Sequence, residues 1–172
     1  STDGGYTFTK YEGNPVLKGD IADFRDPKVT WDGDHWLMTL ACQQEIRFYG
    51  SPDLKDWEYL SSFGEGVGAH GGVWECPELI RLKCENEKIG KCENEKYVLL
   101  VSINPGGPFG GSATQYFIGD WDGKEFKCEN GKCENGQMNW LDYGKDNYST
   151  FTFHNSPDGR LVAMGWMSNW QY

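Results

Sequence analysis

Apolar and polar residues alternate along this chain in short runs, and no stretch sustains a helical period. Runs with strand character fall at 24–29, 35–41, 45–49 and 57–60, then at 76–82, 97–103, 114–118 and 125–126, and again at 148–153 and 161–166. Turn residues punctuate them, as in Asp32-Gly33-Asp34 and Pro157-Asp158-Gly159. The runs also repeat. Asp26-Pro27 and Cys76-Pro77 stand fifty residues apart, as do the turns that begin at Ser1 and Ser51, and a third version of that turn starts at Gly119. Four short strands per unit at that period predict β-propeller blades, with a sandwich of short strands as the rival. The predicted fold is all-β, an incomplete propeller with about three blades. Residues 1–22 are expected to end one blade, 23–61 and 73–126 to form two more, and 138–172 to start a further one. The first strand of each blade lines the axis of a propeller, so the three first strands should converge there.

Composition narrows the function classes. The 172 residues suffice for one domain with a sizeable core. Fifteen per cent aromatics, eight Trp and 23 Gly suit short strands joined by tight turns. A formal net charge of −10 without a basic patch argues against a nucleic-acid partner. No apolar run is long enough to span a bilayer, so no membrane partner is assigned, and no signal-peptide pattern stands at the start. The chain opens in mid-pattern and reads as a mature or shortened piece, its parent expected to be secreted or extracytoplasmic.

Cys42 and Cys76 lie in apolar, strand-like stretches and are expected to be buried thiols. The other four cysteines belong to a repeated Lys-Cys-Glu-Asn tetrapeptide at 83–86, 91–94, 127–130 and 132–135, which reads as exposed inserts between strands. Zinc is the sharper alternative, but the spacing is not Cys-x-x-Cys and the three histidines lie elsewhere, so neither a metal nor a cofactor is assigned. A local Cys128–Cys133 disulfide stays open.

Candidate chemistry gathers in Phe24-Arg25-Asp26-Pro27-Lys28-Val29 and Trp74-Glu75-Cys76-Pro77-Glu78-Leu79. A proline makes the preceding residue extended and donates no ladder hydrogen bond, so each segment reads as a strand entry. Each carries a carboxylate, Asp26 or Glu75, in the same place of the repeated unit. A single carboxylate is ordinarily solvated surface charge; the repetition points instead to paired acid chemistry. A neighbouring carboxylate and an apolar Trp74 would both raise the carboxyl of Glu75. Arg25 beside Asp26 would keep that carboxylate ionised.

These two segments, with Ser102-Ile103-Asn104-Pro105-Gly106-Gly107-Pro108, Asp142-Tyr143-Gly144-Lys145-Asp146-Asn147-Tyr148 and Gly165-Trp166-Met167-Ser168-Asn169-Trp170-Gln171-Tyr172, resemble motifs of glycoside hydrolase family 32. That is the family of levanases, exo-inulinases and invertases. The resemblance implies a five-bladed propeller, usually followed by a β-sandwich. It implies retaining hydrolysis of terminal β-D-fructofuranosyl linkages in levan, inulin or sucrose, with a fructose-containing sugar as the partner. Glu75 would be the general acid/base, Asp26 the transition-state stabiliser and Cys76 a tuning neighbour of the acid. Arg25, Trp74, Asp146, Tyr148, Trp166 and Trp170 would bind substrate. Core packing competes with that role for Trp166 and Trp170, and a blade-closing hydrogen bond competes for Asp146 and Tyr148. The family's nucleophile lies in an upstream Asn-Asp-Pro-type motif that these 172 residues lack, so the piece alone is expected to be inactive. A fructosyl- or mannosyl-transferring enzyme, or a non-catalytic sugar-binding propeller, are the alternatives.

Overall fold

A computed structural model describes residues 1–83, 95–129 and 138–168. Ten strands and no helix are found among them. The first antiparallel sheet runs β1 (Phe24–Trp31), β2 (Trp36–Cys42), β3 (Glu45–Ser51) and β4 (Glu58–Phe63), in sequence order. The second repeats that order with β5 (Val73–Leu82), β6 (Lys96–Asn104), β7 (Ala113–Trp121) and β8 (Phe126–Cys128). β9 (Asn147–Phe153) and β10 (Val162–Met167) pair as the start of a third. This is a partial β-propeller: two complete four-stranded blades and the first two strands of another.

The repeated turns have one physical basis. Asp32 accepts the N–H groups of Asp34 and His35 at 3.0 Å each, and Asp122 accepts those of Lys124 and Glu125 at 3.1 and 2.8 Å. Asp53 does the same for Lys55 and Asp56. Each aspartate supplies the acceptor that a tight reversal denies to its amides.

Residues 1–23 form no strand. Side chains there take the backbone bonds that a ladder would need: Ser1 Oγ accepts the Gly5 N–H at 2.8 Å, and Asp3 accepts the Thr7 N–H at 3.0 Å. Leu17 and Ile21 nevertheless cover Met38, Leu40, Cys42 and Tyr49 on the first blade. Cys42 is a buried free thiol, as expected. Cys128 is disulfide-bonded; Cys84, Cys92 and Cys133 lie outside the described residues, and with them most of the repeated tetrapeptides and the Cys128–Cys133 pairing.

The main core fills the space between the two blades. Leu37, Ile46 and Phe48 meet Trp74, Leu79, Leu99, Val101 and Phe117. Phe63 packs edge-on against both Phe117 and Phe126. Burial of this apolar surface brings the blades face to face and sets β5 against β1 and β9.

One charged group is buried among these three strands. Glu78 on β5 is 0% exposed. Its carboxylate pairs with Lys28 Nζ of β1 at 2.9 Å. It accepts the N–H and hydroxyl of Thr152 on β9 at 2.7 Å each, and His154 Nε2 stands 3.1 Å away. Burial alone would raise its carboxyl; the Thr152 hydroxyl, Lys28, His154 and the Thr152 amide outweigh that and hold it below the ordinary value of 4.5. A lowered folded value means that the stabilisation is present above the unfolded value and fades as pH falls through the folded one. Glu78→Ala should therefore cost about 3–5 kcal/mol at neutral pH, the usual scale for breaking a buried pair. Urea denaturation of the whole protein at a series of pH values should show that cost shrinking below pH 4.5.

Candidate active site

A local distortion recurs on all three inner strands. The β1–β2 ladder slips between Arg25 and Lys28, and the β5–β6 ladder between Glu75 and Glu78. The β9–β10 ladder slips between Met164 and Trp166, opposite the stretch that follows Tyr148. Each bulge holds a non-glycine residue in the left-handed region: Asp26 at φ 56°, Cys76 at 50° and Ser149 at 49°. Arg25, Glu75 and Tyr148 are thus equivalent, as are Asp26, Cys76 and Ser149. The two carboxylates expected at the same place of the repeat are one residue out of step, because Cys76 separates Glu75 from its proline.

The first equivalent set meets in space. Arg25 Nη2 lies 2.9 Å from Glu75 Oε1 and its Nε donates to the same oxygen at 3.1 Å. The Tyr148 hydroxyl donates to Glu75 Oε2. Burial first, then this bond, pushes the Tyr148 phenol far above its ordinary value, so it remains a donor. Glu75 therefore has Arg25 on one oxygen and Tyr148 on the other, and is partly exposed. Arg25 also pairs with Asp23, and not with Asp26 as expected from their adjacency, because the bulge turns the Asp26 carboxylate to the Cys76 amide instead.

Asp26 finds its partner across the blades. The Cys76 N–H donates to Asp26 Oδ2 at 3.0 Å, and the Cys76 thiol lies 3.7 Å from the same oxygen. The tuning neighbour assigned to Glu75 touches Asp26 instead. Burial, before any other influence, pushes this thiol up to about 11, so it acts as a neutral donor.

Trp74 cannot wall a sugar or crowd Glu75. It points to the other face of β5, is 0% exposed, donates its indole N–H to Ala69 at 2.7 Å and stacks on His70 at 5.0 Å. Strand alternation forces this: the neighbour of an axis-facing residue faces the core. Trp166 is 48% exposed and meets Tyr148 edge-on at 6.4 Å. Asp146 and Trp166 line one open depression of about 330 Å³ with Asn147 and Met167, and the Asp146 carbonyl accepts the Ser168 N–H at 2.7 Å. Trp170 lies outside the described residues. Among the described residues no three His, Cys, Asp or Glu side chains gather in a way that could hold a metal ion.

The structure thus joins Arg25, Asp26, Glu75, Cys76 and Tyr148 in one site. The Glu78 cluster was not anticipated, although its signal was present: opposite charges, Lys28 and Glu78, follow the two matched prolines.

The Glycosyl hydrolases family 32 N-terminal domain model matches residues 1–172. The chain belongs to family 32. This family 32 chain is 46% identical to a levanase of Bacillus subtilis (strain 168) over all of its length and 25% of the levanase, and 45% identical to an invertase of Schizosaccharomyces pombe, of which it covers 29%. Among solved structures it superimposes on a fructofuranosidase from Schwanniomyces occidentalis complexed with fructose, with a TM-score of 0.85, 43% identity and coverage of 100% of this chain and 32% of that one. An exo-inulinase from Aspergillus awamori gives a TM-score of 0.87 at 35% identity, with 100% and 35% coverage. The chain therefore spans about a quarter to a third of the length of these relatives.

A thiol held near 11 carries about 100-fold less thiolate at pH 8 than one at the ordinary value of 9.0. Alkylation of Cys76 by iodoacetamide, followed by peptide mass spectrometry, should stay slow at pH 8 and rise steadily up to pH 10 without a plateau.

Proposed function

We propose that the whole protein containing this chain is a retaining glycoside hydrolase that releases terminal β-D-fructofuranosyl units from fructans or sucrose. One observation carries this reading: Glu75 and Asp26, from adjacent inner strands, are brought together by a backbone bond from the residue next to Glu75 to the Asp26 carboxylate. Glu75 is the general acid/base. Arg25 on one oxygen and Tyr148 on the other fix its orientation, as a group that delivers a proton to a leaving oxygen requires. Asp26, steadied by the Cys76 amide, faces the positive charge that develops at the anomeric carbon.

A retaining reaction also needs a carboxylate nucleophile about 5 Å from the acid, on the opposite side of the anomeric carbon. Asp26 does not take that role. On this reading the nucleophile belongs to an Asn-Asp-Pro-type strand of the whole protein, and activity requires it. Arg25, Asp146, Tyr148 and Trp166 contribute to the sugar pocket. A relative named extracellular exo-inulinase supports action outside the cell, and no helix among the described residues is long and apolar enough to cross a membrane.

Glu75→Gln in the whole protein should lower kcat on sucrose or inulin at least ~100-fold, the scale of general acid catalysis, with little change in KM. Unchanged fructose release by that variant, followed by chromatography, would remove Glu75 from the mechanism.

A further inference from the structure

We propose that Glu78 is a positioning residue for Glu75, acting through a clamp that locks the three inner strands in register. The inference rests on the reading of Glu75 as the acid and extends it to a residue that cannot touch substrate, being 0% exposed.

Two sets of cross-strand contacts lie one after the other along the same strands. In the first, Glu75 is held by Arg25 from β1 and Tyr148 from β9. In the second, Glu78 is held by Lys28 from β1 and Thr152 from β9. Lys28 stands three residues after Arg25, Glu78 three after Glu75, and Thr152 four after Tyr148. Every partner of Glu75 therefore shares a strand with a partner of Glu78, roughly 10 Å away at the rise of extended chain. Lys28 also lies over the Phe151 ring, 5.1 Å from its centroid, which ties β1 to β9 directly.

The linking backbone is stiff. Between Glu75 and Glu78 come Cys76, in the left-handed region, and Pro77, whose ring fixes φ. Between Arg25 and Lys28 come Asp26, also left-handed, and Pro27. Such segments transmit a displacement of Glu78 or Lys28 to the residues before the bulge. Without the clamp, β9 is free to slide against β5, and Tyr148 and Arg25 lose their aim on Glu75. A displacement near 1 Å at a reacting group can cost ~100-fold in rate.

A fault confined to proton delivery depends on the leaving group; a general loss of folding does not. The test compares sucrose with 4-nitrophenyl β-D-fructofuranoside, whose leaving group needs little protonation, using the whole protein as wild type, Glu78→Gln and Glu75→Gln. Glu78→Gln should lose at least 10-fold in kcat/KM on sucrose and less than 3-fold in kcat/KM on the aryl fructoside, because kcat/KM reports the step in which the leaving group departs and not the later attack of water, which both substrates share. Equal losses on the two substrates, or none on sucrose, would overturn the proposal while leaving Glu75 in place, provided that Glu75→Gln still shows the split. A Glu75→Gln variant with full sucrose activity would remove the underlying reading and the clamp's role together. If Glu78→Gln does not fold, Thr152→Val carries the same test: it keeps the amide bond, deletes the hydroxyl donor, and should show the same selective loss on sucrose at about 3-fold. Equal losses of Thr152→Val on both substrates, or none, count against the proposal in the same way.

Discussion

Three residues other than glycine are held at positive φ at matching positions of three inner strands, and the site exists because they are. A left-handed backbone costs an ordinary residue about 1–2 kcal/mol, so Asp26, Cys76 and Ser149 together carry several kcal/mol of local strain. The return is geometric. A regular strand sends successive side chains to opposite faces. The bulge breaks that alternation, so that Glu75 and Cys76, or Arg25 and Asp26, both serve the axis although they are adjacent in sequence. Strain of this kind persists only where surrounding structure over-determines it, and each bulge is fixed by bonds from a neighbouring blade.

Those bonds follow from the need to satisfy a backbone that has left its ladder. The Cys76 N–H goes to the Asp26 carboxylate and the Ser149 N–H to the Ser102 hydroxyl, at 3.0 Å each. The Pro77 carbonyl accepts the Thr39 hydroxyl at 3.2 Å. In each case the group freed by the bulge in one blade is met by a side chain of the blade before it. The Glu78 carboxylate closes the same system beyond the bulge. Burying a charge is expensive, and a buried ion pair in isolation is a weak source of stability. Here the carboxylate has Lys28, a backbone N–H and a hydroxyl as partners, so its lone pairs are met and its value lies in geometry: apolar contacts would allow the strands to slide, whereas directional bonds from β1 and β9 do not.

The strands and their blade grouping were legible in the sequence because they rest on local signals. Period-two alternation, aspartate-led turns and a repeat of fifty residues each act over a few residues at a time. Asp26, Glu75 and Arg25 could be singled out from their setting near the matched prolines. The pairing among them could not. Adjacency suggested Arg25 with Asp26 and Cys76 with Glu75, whereas the bulge exchanges these partners. Trp74 was misplaced for a related reason: beside Glu75 in sequence, it faces the opposite side of the strand and fills the core between blades. Residues 1–22 carry aromatic and glycine signals like those of the blades, yet their side chains satisfy the backbone locally and no ladder forms.

The repeated bulge also explains how equivalent positions came to do different chemistry. The residue before the bulge is a guanidinium in one blade, a carboxylate in the next and a phenol in the third, and these converge as two donors and one acceptor. The residue within the bulge is a carboxylate in Asp26 and an amide donor in Cys76, again a complementary pair. Beyond it, Lys28 and Glu78 repeat the complementarity with opposite charges. At each level like side chains on neighbouring blades would repel or leave a buried polar group unmet, which costs about 1–3 kcal/mol or more. Backbone repetition brings the same positions together at the axis, and electrostatics then requires that they differ. A propeller whose blades were identical in sequence would face itself across that axis with like charges, so divergence at these three levels is a condition for the strands to pack as well as for the site to act.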